Sequence, residues 1–276
     1  MVHVPGRQAL TGPTLIRLLV RLTDAGVPES EPPLADRLCQ WLRWTDAIAL
    51  SAALGGGPAA SASGDSAPDD ARAKAHDQAP DQAPDALCER VRTSLTNAIA
   101  RHAMLTPHAQ QRGDARARRD RTAAASIAPD YSAFRQCYLA LQEEMETAIA
   151  NLRTLLRGML SARERAMSQL AAVDAVMERV LGVREYNTLA AVPGLLARHF
   201  ARLLDAQLAA RANAHAGPPD GAQPPTAAAG QAESAPTVQD GPWLDGFRKD
   251  MQSVLLAELE IRFQPVEGLR AALRDC

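Results

Sequence analysis

Residues 131–160 read YSAFRQCYLALQEEMETAIANLRTLLRGML, and their spacing decides the fold class. Tyr131, Phe134, Tyr138, Leu141, Met145, Ala148, Leu152, Leu155 and Met159 recur in alternating steps of three and four. Such steps place them on one side of an α-helix and are incompatible with the two-residue period of a strand. No proline interrupts the chain from Asp130 to Val192. Ile149 and Leu156 widen the stripe beyond a strict seam, which favours a helix in a bundle over a two-stranded coiled coil. Pairing of this run between chains remains open, because periodicity does not separate it from packing within one chain. Gly158 and the capping-box pattern Ser161-x-x-Glu164 predict a turn near 158–161, with a straight helix running through as the alternative.

The same period extends in both directions. Met167, Leu170, Val173, Met177 and Val180 form a second leg predicted to end at Gly182, and a third leg runs from about Pro193 to Arg211. Upstream, helices are expected over Thr11–Ala25, Leu34–Leu54 and Ala86–Met104. Downstream, Asp240-Gly241-Pro242 opens a helix that Gln264-Pro265 is expected to stop, with Leu269 and Leu273 in one more short helix. The chain has 55 alanines among 276 residues and only 4% aromatic residues. Alanine is the best helix former, whereas sandwiches and barrels need aromatic and β-branched residues. The fold class is therefore all-α, a multi-helix bundle with long disordered linkers.

Those linkers are 55–85, 106–129 and 212–240. The first holds six aspartates against Arg72 and Lys74, the second is rich in arginine, and the third carries Pro218, Pro219, Pro224, Pro225 and Pro236. Each has too little apolar surface to offset the entropy of ordering. They separate an N-terminal helical pair (11–54), a helix (86–105), a central bundle (130–211) and a C-terminal helix (241–275). Net charge is −2 with a pI near 6.3, so no whole-molecule field recruits nucleic acid or anionic lipid. Arg17 and Arg21 interrupt the apolar stretch Leu15–Leu22, which excludes it as an export signal or membrane span. Four cysteines with no C-x-x-C pair read as reduced thiols, and the expected compartment is the cytoplasm.

Three stretches resemble the signatures of an uncharacterised proteobacterial family of unknown function. They are Trp41 to Leu54, Ala172 to Glu178 followed by Val192 to Leu196, and Arg262 to Leu269. The resemblance supplies no catalytic residues. It implies a context, since genes of that family tend to lie beside those for MotA/TolQ/ExbB-like channels and OmpA-like peptidoglycan-binding proteins. An accessory role at an ion-driven envelope assembly is the expectation it carries.

Trp41, Trp44 and Asp46 form the candidate partner-binding constellation. On one continuous helix, residues three apart are neighbours, and the two indoles would make one aromatic ledge for a partner helix; the bland alternative has Trp41 in the core, Trp44 at its rim and Asp46 solvated. Arg112, Arg116, Arg118, Arg119 and Arg121 form a candidate nucleic-acid contact, although no aromatic residue is interleaved for base stacking. Arg17 and Arg21 beside their leucines are expected to flank a helix packed into the bundle rather than one lying on a membrane. Glu143, Glu144 and Glu146 fall off the apolar stripe without a Glu-x-x-His partner, so a solvated face is expected. The six histidines show no i, i+4 pair, and no G-x-S-x-G, P-loop or dinucleotide fingerprint occurs. No catalytic, cofactor or metal residue is assigned. The leading expectation is a non-enzymatic helical adaptor or scaffold with protein partners. The alternatives are a nucleic-acid binder using the 112–121 tract and an enzyme with a dispersed site.

Overall fold

The computed structural model describes residues 13–23, 34–55, 83–106, 130–215 and 241–275. The expected linkers lie almost wholly outside these residues. The fold is all-α, and no strand occurs among the described residues. The helices are α1 (Thr14–Thr23), α2 (Leu34–Trp41), α3 (Trp44–Gly55), α4 (Pro84–Arg101), α5 (Tyr131–Ser161), α6 (Arg165–Leu189), α7 (Val192–His215) and α8 (Pro242–Arg274). Among the described residues no helix is long and apolar enough to cross a membrane.

The chain divides into two compact units. One holds the described parts of Met1–Ala25, Ile99–Ala140 and Pro193–Leu255. Its core is a cluster of rings in which Phe247, fully buried, meets Phe200 at 5.0 Å, Phe134 at 5.2 Å, His199 at 6.0 Å and Tyr131 at 6.3 Å between centroids. Edge-on and tilted pairs of this kind add to the area buried. The Tyr131 hydroxyl donates to the Pro193 carbonyl, tying the start of α5 to the start of α7. Leu15 and Leu22 of α1 are buried, with Arg17 and Arg21 exposed beside them.

The other unit holds the described parts of Gly26–Ala98, Leu141–Val192 and Leu256–Cys276. Its helices are joined by apolar packing and by charge. Arg153 and Arg157 of α5 reach Asp174 of α6 at 2.7 and 3.0 Å, and both also contact Glu178. Arg92 of α4 contacts Glu267 of α8 at 2.8 Å and lies 4.5 Å over the Phe263 ring. Asp85, in the first turn of α4, pairs with Arg270 and Arg274. These guanidiniums hold the Asp85 carboxyl below its ordinary range.

Five local expectations need correction. The turn after α5 exists, but the predicted capping box does not form: Glu164 is the N-cap of α6 and makes no side-chain cap bond. The buried row of α5 is Phe134, Tyr138, Leu141, Met145, Ile149, Leu152, Leu156 and Leu160, while Leu155 is 42% exposed and Ala148 and Met159 are half-buried. Those steps repeat four, three, four, or eleven residues per three turns. That is close to the 3.6 residues of an unstrained helix, so a heptad row drifts off the core after two or three turns and Ile149 replaces Ala148. The segment 34–54 is two helices rather than one. α6 continues through Gly182 to Leu189, and a glycine inside a helix costs only about 1 kcal/mol against alanine. Likewise α8 continues through Pro265.

An interior proline removes one helical hydrogen bond and costs about 3 kcal/mol. Here Phe263, Val266, Leu269 and Leu273 keep the apolar row of α8 buried on both sides of it. Packing outweighs the local penalty. Pro265→Ala is accordingly expected to keep the fold and to raise stability by about 1–3 kcal/mol, read from denaturant midpoints. A lowered midpoint would show that the ring itself packs in the core.

Candidate functional site

The feature that separates one part of the surface from the rest is α3. Its sequence, Trp44 to Gly55, carries one charged residue, Asp46, and is apolar on nearly every side. A helix apolar all round is normally buried. Yet α3 has no buried residue.

Its start explains the break that divides 34–54. The Asp46 carboxylate accepts from the Arg43 N–H at 3.3 Å, while the N–H groups of Asp46 and Ala47 donate to the Arg43 carbonyl at 3.0 and 2.9 Å. Arg43 is thus the N-cap of α3, and Asp46 supplies half of a capping box. The usual N-cap residue types are absent at 42–43, which is why sequence alone does not reveal this start. Trp41 closes α2 and Trp44 opens α3, so the two indoles do not share a helix face. The single ledge expected from an i, i+3 spacing does not exist.

The two tryptophans have different roles. Trp41 is half-buried beneath the Arg184 guanidinium, 4.8 Å over its ring, a cation–π contact. Trp44 is 80% exposed. Asp46 lies 3.9 Å from Arg179 of α6, and Gln169 of α6 donates to the Leu54 carbonyl at 3.5 Å. These two contacts set α3 antiparallel to α6 and put Trp44 near the level of Val183. Val183 and Tyr186 are themselves 67% and 60% exposed. The half-buried positions of α3 are Asp46, Ala49, Leu50, Ala52 and Ala53, most of them on the side that meets α6. The opposite row, Trp44, Ile48, Ser51 and Gly55, is exposed and without charge.

Groups with chemical potential elsewhere are placed differently. Cys137 Sγ lies 3.2 Å from His102 Nδ1, a pair 35 residues apart in sequence that periodicity does not reveal. Burial pushes the Cys137 thiol up to about 11, which suppresses the thiolate a nucleophile needs. His199 contacts Asp250 at 2.9 Å and lies tilted against Phe247 within the ring cluster. Glu258 of α8 is fully buried, accepts from the Gln142 amide at 2.9 and 3.1 Å and from Arg262 Nε at 3.0 Å. Arg262 also reaches Glu185 of α6 at 3.4 Å. Burial raises the Glu185 carboxyl above its ordinary value, against the pull of Arg262 and Arg153. Glu143, Glu144 and Glu146 are exposed. Among the described residues no three His, Cys, Asp or Glu side chains are grouped to hold a metal. The tract Arg112, Arg116, Arg118, Arg119 and Arg121 lies outside the described residues.

The thiols offer a direct check of this placement. Among the described residues Cys39, Cys88 and Cys137 are free thiols; Cys39 is exposed, and Cys88 and Cys137 are buried. Burial raises the Cys88 thiol as it does that of Cys137. Peptide-resolved alkylation near pH 8 is expected to label Cys39 at least about tenfold faster than Cys137, because burial both shields the Cys137 sulfur from reagent and disfavours its thiolate. Equal rates would contradict the burial of Cys137.

Residues 1–275 match the family model described as Protein of unknown function (DUF3348). No curated protein matches the chain, and no solved structure matches it.

Proposed function

Because the chain belongs to the DUF3348 family, whose description assigns no activity, we propose on the strength of its own residues that it is a non-enzymatic helical adaptor that binds a protein through the outward face of α3. The observation that carries this reading is an apolar helix with no buried residue and a tryptophan 80% exposed at its start. Exposed, clustered apolar side chains mark interaction sites, and tryptophan is the residue most often dominant in interface energy. Trp44 is the contact residue. Trp41, clamped under Arg184, and Asp46, capping α3 beside Arg179, are the residues that position it. The buried acids and bases are engaged with one another in ways that stabilise helix packing, which favours the adaptor over an enzyme with a dispersed site. The free thiols support placement in a reducing compartment such as the cytoplasm. The family resemblance extends the proposal to a setting, an accessory role at an ion-driven envelope assembly.

Native co-purification of the full chain from its source cell, followed by mass spectrometry, tests the reading. A bound protein is expected with the wild type and is expected to fall at least about tenfold in yield with Trp44→Glu. Equal recovery with both chains would overturn it.

A further inference from the structure

The outward row of α3 runs Trp44, Ile48, Ser51, Gly55: two large side chains, then two small ones. We propose that this face pairs with the same face of a second copy of the chain, antiparallel and about a two-fold axis midway along α3. The inference rests on the reading of α3 as a binding surface and names what binds there.

The face is complementary in shape to itself. In an antiparallel pair centred on the helix, position 44 of one copy meets 55 of the other, and 48 meets 51. Each large side chain then faces a small one, and the relation holds in both directions, as a two-fold interface requires. The space is open: a Cβ at Gly55 would meet nothing within 4 Å. Ala47 and Leu54, both exposed, flank the row and add apolar area without charge.

Charge favours the same antiparallel direction. Arg43, Arg179 and Arg184 are all exposed at the Trp44 end, with Asp46 as the acid beside them. Antiparallel pairing brings that cationic end against the C-terminal end of the partner's α3, the negative end of its helix dipole. The two helix dipoles also oppose. Parallel pairing would bring the two arginine groups together and stack Trp44 on Trp44, so the arrangement selects its own direction. Val183 and Tyr186, exposed near the Trp44 end, extend the contact beyond twelve residues of helix. An interface of this size is small, which sets the expected affinity in the micromolar range.

Sedimentation equilibrium of the full chain is the test. A reversible monomer–dimer equilibrium with Kd of about 1–100 µM is expected. Ile48→Glu and, separately, Ser51→Trp, which fills the small end, are each expected to raise Kd by at least about tenfold. Both positions are exposed, so circular dichroism and melting should not move. A monomer at about 500 µM, or a dimer that survives both substitutions, overturns the proposal. Loss of a different co-purifying protein with Trp44→Glu from a chain that stays monomeric leaves the binding surface standing and removes the second copy as its occupant. A dimer indifferent to Ile48→Glu, Ser51→Trp and Trp44→Glu, from a chain whose co-purifying proteins are equally indifferent to Trp44→Glu, removes both.

Discussion

Glu258→Ala is expected to destabilise the fold by about 3–5 kcal/mol, the range for breaking a buried ion pair by deleting one partner. Glu258 is fully buried on α8 and joins the Gln142 amide of α5 to Arg262, which in turn reaches Glu185 of α6. Removing the carboxylate leaves Arg262 with one acid at 3.4 Å and strands the Gln142 amide, each 9% exposed or less. The loss is therefore mostly the desolvation of partners left behind. Two further variants separate this from simple loss of volume. Glu258→Gln keeps an acceptor and should cost less than the alanine change. The quadruple change Gln142→Leu, Glu185→Gln, Glu258→Met, Arg262→Leu removes the charges of this cluster together and should recover much of the stability, because apolar replacement of a buried ionic group is often neutral or better. Urea unfolding of the three chains gives the order, and an alanine variant within about 0.5 kcal/mol of wild type would show that these groups are solvated.

The second large effect concerns the other unit. Phe247→Ala is expected to cost about 3–5 kcal/mol, from lost transfer energy and the cavity left among its neighbours. Phe247 is fully buried and touches four rings, so the alanine variant also loses edge-on pairings each worth about 0.5–1.5 kcal/mol. Phe247→Leu should recover part of it. Ile48→Ala, on the exposed face of α3, provides the contrast and should shift stability by no more than about 0.5 kcal/mol. If the two alanine variants melted alike, the ring cluster would not be the core of its unit.

These residues also mark where sequence reasoning succeeds and fails. Phe134, Tyr138, Leu141, Met145 and Leu152 follow from apolar spacing alone, since a helix buries what recurs once per turn. The same spacing mistakes Leu155 and Met159 for core, because a three-four alternation assumes 3.5 residues per turn and the row drifts at 3.6. Pro265 and Gly182 illustrate a second failure. Local breaker rules carry penalties of about 1–3 kcal/mol, and continuous packing on either side overrides them. The Glu258–Gln142 bond spans 116 residues and the Cys137–His102 contact 35, distances at which no local pattern carries information. For the candidate site, the signal in Trp41 to Leu54 is visible as an apolar helix with conspicuous tryptophans. Its break at Leu42–Arg43 is not, because Arg43 lacks a capping side chain and Asp46 supplies the bond from inside α3.

Binding through α3 requires that Trp44 face water in the isolated chain. A variant retaining Trp44 alone, with Trp41→Phe and Trp243→Phe, reports on that side chain by fluorescence with iodide as quencher. In dilute solution the emission is expected to be that of a water-exposed indole, quenched nearly as fast as free tryptophan, and to become protected as the protein concentration rises. Blue-shifted emission that iodide does not reach in the dilute monomer would show that another part of the chain covers α3, and the binding surface would not exist.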